Sequence, residues 1–258
     1  MKRLRSLVLL FALLASPLSA REPLRIAAAA DLKFAMDEIV RRYAEHDRAT
    51  RIDVVYGSSG QFKTQIEQQA PFDLYFSADI AYPRALAAKG LAASVVQPYA
   101  VGRLVLWGAQ YDARALGLGD LRRTEFARIA IANPRHAPYG QRAEEALRAA
   151  GVWDAVMPRL VYGENIAQAA QFVQSGNAQL GIIALSLALD PALASQGGYT
   201  LIPESLHAPL LQGFIITRRA AGKAEARRFA EFITGTEARA VMSRYGFRLP
   251  GEHVEASR

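Results

Sequence analysis

Residues 25–40, RIAAAADLKFAMDEIV, constrain the fold more than any other stretch of the chain. They begin in an apolar run over residues 24–29 that is typical of a short buried strand. Beyond it, apolar side chains fall on one face of a helix, at Leu32, Met36, Ile39, Val40 and Tyr43. Asp31 stands where a helix N-cap belongs. A strand that runs into a helix leaves unpaired N–H groups at one point, and these groups favour a bound anion. The same pattern is also expected of any first βα unit in an α/β domain, whether or not it binds a ligand.

Composition narrows the class of protein. The 258 residues are 51% hydrophobic and 21% charged, which is enough for one large domain or two small ones with a sizeable core. Cysteine is absent, so disulfides, thiolate metal sites and a cysteine nucleophile are excluded. The formal charge is +7, and without Lys2, Arg3 and Arg5 near the N-terminus the count is 28 basic against 24 acidic residues, or +4. The remaining basic residues are scattered as short pairs that are typical of solvated helix faces, and we therefore predict no nucleic-acid binding.

The first twenty residues read as a secretory signal peptide. Lys2, Arg3 and Arg5 form a basic start, and the apolar run 7–15 is too short to span a bilayer. We place cleavage after Ala20, with an uncleaved anchor as the alternative. We therefore expect a soluble protein exported to the periplasm.

The rest of the chain alternates strands and helices. We predict strands at 51–56, 72–77, 98–107, 129–132, 159–162, 180–185 and 213–217, and helices at 61–69, 141–150, 166–174 and 223–234. This alternation predicts an α/β protein with two doubly wound parallel sheets, one per lobe, joined by two hinge strands near residues 100 and 210. We expect one lobe from 21–98 and 206–258, and the other from 99–205.

In such sheets ligands bind where strands end and loops enter helices. The loops here carry no phosphate-binding loop, no nucleophile elbow and no histidines at metal-ligand spacing. They offer small or neutral polar residues instead: Ala30, Asp31, Ser58, Ser59, Ser77, Tyr139, Asn165 and Ile166. Hydroxyl and backbone N–H donors that converge on a dry cleft can hold an ionised oxyanion without lysine or arginine, and they disfavour protonated anions.

Seven segments in order along the chain resemble the periplasmic molybdate-binding proteins of bacterial ABC importers. They are AAAADLKFAMDEI (27–39), YGSSG (56–60), APFDLYFSAD (70–79), IANPRHAPYG (131–140), LVYGENIAQAAQFV (160–173), LGIIALS (180–186) and RYGF (244–247). The resemblance implies a two-lobed periplasmic binding fold of type II. It also implies capture of molybdate, and usually tungstate, for delivery to a membrane permease, with no catalysis and no cofactor. A monomer is the usual state of this class.

The resemblance places the oxyanion against Ala30, Asp31, Ser59 with Ser58 beside it, Tyr139, and the backbone N–H of Ile166. One branch of the family uses a tyrosine where this chain has Ala184, so the hydroxyl donor is expected from Tyr139. No residue is expected to ligate the metal atom directly.

Asp31 departs from the serine or asparagine common among relatives. An ionised carboxylate beside a dianion is repelled by roughly 4 kcal/mol per charge pair at about 4 Å. We therefore expect Asp31 to turn its side chain away, to cap the following helix and to offer only its N–H. Two alternatives stay open for the chain as a whole: the same fold holding sulfate or phosphate, and an exported hydrolase acting on a small anion.

Overall fold

The computed structural model describes residues 22–251. The predicted signal peptide, residues 1–20, lies outside the described residues. Within 22–251, no helix combines the length and apolar character that crossing a bilayer requires.

Ten strands form two five-stranded sheets in the described part of the chain. The first sheet contains β1 (Leu24–Ala29), β2 (Ile52–Gly57), β3 (Leu74–Ser77), β4 (Gln97–Gly102) and β10 (Leu210–Ile216). The second contains β5 (Leu104–Gly108), β6 (Ile129–Ala132), β7 (Leu160–Gly163), β8 (Leu180–Ala184) and β9 (Gly198–Leu201). We call each sheet with its helices the first and the second lobe.

Ten α-helices accompany the strands within residues 22–251. They are α1 (Lys33–His46), α2 (Ser59–Glu67), α3 (Ala81–Ala88), α4 (Pro138–Ala149), α5 (Trp153–Val156), α6 (Ile166–Gln174), α7 (Leu185–Ala188), α8 (Pro191–Ala194), α9 (Ala224–Thr234) and α10 (Thr236–Arg244). A 3-10 turn, Ala30–Leu32, joins β1 to α1. The C-terminal helices α9 and α10 pack on α1.

The two sheets share one strand arrangement. The orders are β2-β1-β3-β10-β4 and β7-β6-β8-β5-β9. In each, three strands are parallel and the strand next to them is antiparallel, β10 in one and β5 in the other. The two-lobed α/β fold is confirmed, but the sheets are mixed rather than wholly parallel because β5 and β10, the strands that follow each crossing between the lobes, run against the others.

The strands β1, β3 and β10 of the first sheet are buried on both faces, which explains their nearly continuous apolar sequences. Ile26 and Ala28 face the core beneath α1, α9 and α10, whereas Ala27 between them faces α2 and α3. On the first face Phe76 stacks on Phe214 with ring centroids 4.8 Å apart. This packing holds the ends of β1, β2 and β3 fixed, and those ends carry the loops of the site.

The single strand predicted over residues 98–107 is wrong. The chain forms β4 and β5 instead, which belong to different sheets and meet at Arg103. Apolar periodicity cannot reveal this break because both strands are buried. The sequence signal of this break is Gly102, the last residue of β4. A Cβ at this position would lie 2.2 Å from the Tyr139 hydroxyl of the other lobe. We propose the lobe boundaries at Arg103 and between β9 and β10.

Candidate functional site: an interlobe cavity

A small cavity, with a free volume of about 10 Å³, lies between the lobes. The six residues singled out from the sequence all border it: Ala30, Asp31, Ser58, Ser59, Tyr139 and Ile166. Among the described residues, no lysine, arginine or histidine lines the cavity, and Asp31 is its one charged side chain. No cluster of three or more His, Cys, Asp or Glu within residues 22–251 is arranged to hold a metal ion.

Three helices begin at the cavity. Ser59 is the first residue of α2, Tyr139 the second of α4 and Ile166 the first of α6. The first N–H groups of a helix have no partner inside it, and no acceptor within the described chain takes those of these three residues. Both lobes thus present unpaired backbone donors, at the positive ends of helix dipoles, to one small space.

Ser59 adds a hydroxyl donor. Its Oγ accepts a hydrogen bond of 3.0 Å from the backbone N–H of Ala78, and Ser59 is only 1% exposed. Its carbonyl accepts from the Tyr75 hydroxyl at 2.7 Å, which fixes the start of α2. Because the oxygen already accepts, the hydroxyl proton is left to be donated into the cavity.

Ser58 plays a different part from its neighbour. Its Oγ donates to the carbonyl of His136 in the second lobe at 2.5 Å, and the His136 ring nitrogen Nδ1 lies 2.9 Å from the same Oγ. The N–H of Gly60 donates to that carbonyl at 2.9 Å. A Cβ on Gly60 would come within 2.6 Å of the same oxygen, so glycine permits this contact. Ser58 therefore joins the lobes at the cavity wall.

Other contacts also cross between the lobes. The Ser186 hydroxyl donates to the Asp31 carbonyl at 2.7 Å. On the rim, Arg142 Nη2 pairs with Asp79 Oδ2 at 3.3 Å. These contacts show that the structure is the closed arrangement of the two lobes, in which residues from both meet around the cavity.

The prediction that Asp31 caps the following helix is wrong. The N-cap residue of α1 is Leu32, and no side chain caps it. The tight 3-10 turn after β1 places Asp31 one residue before the N-cap, with its side chain buried in the protein. Its Oδ2 accepts a 2.6 Å hydrogen bond from Gln212 Nε2, and the residue is 1% exposed.

Asp31, Gln212, Tyr99 and Tyr139 form a buried group that we call the Asp31 cluster. Tyr99 donates to Gln212 Oε1 at 2.6 Å, and Gln212 Nε2 lies 3.3 Å from the Tyr139 hydroxyl. The Tyr139 hydroxyl thus faces the cluster in this arrangement, while its backbone N–H starts α4. The sequence reading missed Gln212, although an amide inside the apolar strand LLQGFII is a signal that could have revealed it.

Burial sets the protonation of this cluster. It raises the pKa of Asp31 to about 6, and the neighbouring Gln212 and Tyr139 oppose that rise. Burial also raises the pKa of Tyr99 and that of Tyr139 well above the ordinary value of tyrosine, so both phenols keep their protons. The carboxyl group is therefore the titrating member of the Asp31 cluster near neutral pH.

The fold and the interlobe site define a class of protein. Residues 24–248 match the family of bacterial extracellular solute-binding proteins, and the chain belongs to that family. Members of this class bind and hand over solutes, and the chain is a transport component, not an enzyme. An exported hydrolase is thereby excluded.

Within the family the resemblance to molybdate-binding proteins is confirmed. The chain is 35% identical to the molybdate-binding protein ModA of Rhodobacter capsulatus over 91% of both chains. It is 34% identical to ModA of Azotobacter vinelandii over 87% of this chain and 89% of that one. The solved periplasmic molybdate-binding protein of Azotobacter vinelandii superposes with a TM-score of 0.81 at 30% identity, covering 88% of this chain and 99% of that one.

Proposed function

We propose that this protein captures molybdate in the interlobe cavity and delivers it to the membrane permease of an ABC importer. The molybdate-binding relatives at 35% and 34% identity support the ligand. The observation that carries the proposal is the meeting of three helix starts, from two lobes, at a cavity to which residues 22–251 contribute no cationic side chain.

The donors suit a tetrahedral dianion. Backbone N–H groups of Tyr139 and Ile166 come from the second lobe, and the Ser59 hydroxyl and N–H come from the first. The backbone at Ala30 and Asp31 completes the donor set of the first lobe. Hydrogen bonds to a charged acceptor are roughly twice as strong as neutral ones, so several neutral donors can replace the water shell of the anion. Because they come from both lobes, the full set exists only when the cleft is closed.

Tungstate has the same charge and tetrahedral shape, and we propose that it binds as well. Sulfate has shorter bonds from its central atom to oxygen, so its oxygens fit the same hydrogen-bond donors less well. We further propose that the chain acts as a monomer, without a cofactor, after export to the periplasm and removal of residues 1–20. The permease and the oxyanion are its partners.

Thermal unfolding with added anions tests the proposal. At a molybdate concentration about 100 times Kd, mass action stabilises the protein by about 2.7 kcal/mol, which raises Tm by about 5 to 10 °C. Tungstate should give a similar rise, and sulfate or phosphate at the same concentration should give almost none. The variant S59A is the matched control because it removes one donor from the cavity and should reduce the molybdate shift. A protein whose Tm responds equally to sulfate, or not at all to molybdate, does not have this function.

A further inference from the structure

Asp31 poses an electrostatic problem for an anion site. It borders the cavity and is 1% exposed, so water cannot screen its charge. Its Oδ2 accepts from Gln212, whereas its Oδ1 is buried without a hydrogen-bond partner in the described structure. A buried, unpaired carboxylate oxygen is costly, and a dianion beside it would raise that cost.

No positive charge compensates this carboxyl group. The groups that face it are Gln212 from β10, Tyr99 from β4 and Tyr139 from α4, and Ser186 from α7 binds its carbonyl. Within residues 22–251 no lysine, arginine or histidine forms an ion pair with it. Nearby cations are paired elsewhere: Lys33 with Asp37, Arg103 with Glu204, and Arg142 with Asp79. His136 contacts Ser58 and Glu164 and does not line the cavity.

We propose that the Asp31 carboxyl group binds the oxyanion in its protonated form, donating the Oδ1 proton to an oxygen of the ligand, so that binding takes up one proton from solvent. This inference rests on the proposed function. It turns the one charged residue of the cavity into another neutral donor. The unpaired Oδ1 gains a partner, and Oδ2 keeps its hydrogen bond from Gln212. The proton comes from water and stays on the carboxyl group while the anion is bound.

The pKa of the carboxyl group supports this assignment. Burial raises it to about 6 in the closed arrangement, and the field of a dianion raises it further. At pH values above about 6 the free site is ionised while the occupied site is protonated, so affinity falls as pH rises. The fall approaches tenfold per pH unit between the two pKa values. Tyr99 and Tyr139 cannot supply this change because they keep their protons in both states.

Titration calorimetry with molybdate, in two buffers of different ionisation enthalpy, measures the proton uptake. The pH is kept above about 6, the value to which burial raises the pKa of Asp31, so that the carboxyl group of the free site is ionised. We expect the unmodified protein to take up close to one proton per molybdate and to lose nearly tenfold in affinity per pH unit. D31N should take up none and show a flat pH profile, because an amide donates without titrating and can still accept from Gln212.

D79N is the matched control. Asp79 is another carboxylate between the lobes, but it is paired with Arg142, so its loss should leave the proton uptake intact. Molybdate binding without proton uptake in the unmodified protein would overturn the inference while leaving the proposed function standing. The same holds if D31N takes up as many protons as the unmodified protein, since a group other than Asp31 would then be responsible. Absence of molybdate binding in every protein would overturn both proposals.

Discussion

The two lobes meet the cavity with the same architecture and different chemistry. In each, the second strand of the parallel set leads directly into a nine-residue helix, β2 into α2 and β7 into α6. Ser59 and Ile166 occupy the same position, the first residue of the helix. One carries a hydroxyl group, and the other carries a buried aliphatic side chain, 4% exposed.

The residues just before them differ in the same way. Asn165 caps its own helix by accepting from the N–H of Gln168 at 3.0 Å. Ser58 does not cap α2, and its hydroxyl reaches across to His136 instead. The first lobe therefore adds a side-chain hydroxyl to its backbone donors, whereas the second lobe offers backbone donors alone. A side-chain substitution can thus weaken the first lobe, but a change to the backbone is needed to remove a donor from the second.

The largest effect is expected from S59A. It removes the hydroxyl donor and leaves the N–H of Ala78 without its acceptor. Because a hydrogen bond to a charged group contributes about 1.5 to 3 kcal/mol, Kd for molybdate should rise by about tenfold to a hundredfold. Calorimetry well below the Tm of the variant measures this. S59T, which keeps the hydroxyl group, should bind molybdate far better than S59A. If both variants bind equally weakly, the loss of affinity comes from altered packing and not from the missing hydroxyl group.

I166P tests the second lobe at its backbone. Proline is tolerated at the first position of a helix, and Asn165 has the extended backbone, φ −151° and ψ 176°, that a residue before proline prefers. I166P removes the N–H, whereas I166A removes side-chain atoms and keeps it. We expect I166P to bind molybdate about tenfold more weakly than I166A. If the two variants bind alike, the N–H of Ile166 is not a donor to the ligand.

S58A should have a smaller effect. It removes the hydrogen bond to His136 but no donor to the ligand, and the Gly60 N–H keeps its bond to the same carbonyl. A neutral hydrogen bond contributes about 0.5 to 1.5 kcal/mol, so Kd should rise about threefold to tenfold through weaker closure. Small-angle scattering with and without molybdate reports closure. A loss as large as that of S59A would make Ser58 a ligand donor.

The smallest effect on binding is expected from N165A. It removes the cap of α6, which costs about 1 kcal/mol of stability. The N–H of Ile166 remains, so Kd should change by no more than about twofold. Urea unfolding and calorimetry on the same variant separate the two quantities. Strong weakening of binding at unchanged stability would mean that the Asn165 side chain itself touches the anion.

Much of the fold could be predicted because strands and helices alternate clearly along the chain. The predicted strand before residue 30 and the helix at 166–174 coincide with β1 and α6. The predicted helices at 61–69 and 141–150 begin earlier, at Ser59 and Pro138. Those extra residues matter, because they place Ser59 and Tyr139 inside the first turns of helices with unpaired N–H groups.

The side-chain network could not be predicted because it depends on three-dimensional neighbours. Asp31 looked like an N-cap by spacing alone, and only the 3-10 turn shows that its carboxyl group turns toward Gln212. Gln212 lies 181 residues away along the chain, in a strand that periodicity marks only as buried. The break at Arg103 was equally hidden, since β4 and β5 are both apolar.

A crystal structure with molybdate, phased at the molybdenum absorption edge, would show where the anion lies and which groups hold it. We expect one strong anomalous peak in the interlobe cavity, with the molybdate oxygens in hydrogen-bond contact with Ser59 Oγ on one side and the Ile166 N–H on the other. A peak elsewhere on the protein, or an anion held by lysine or arginine side chains, would contradict this expectation.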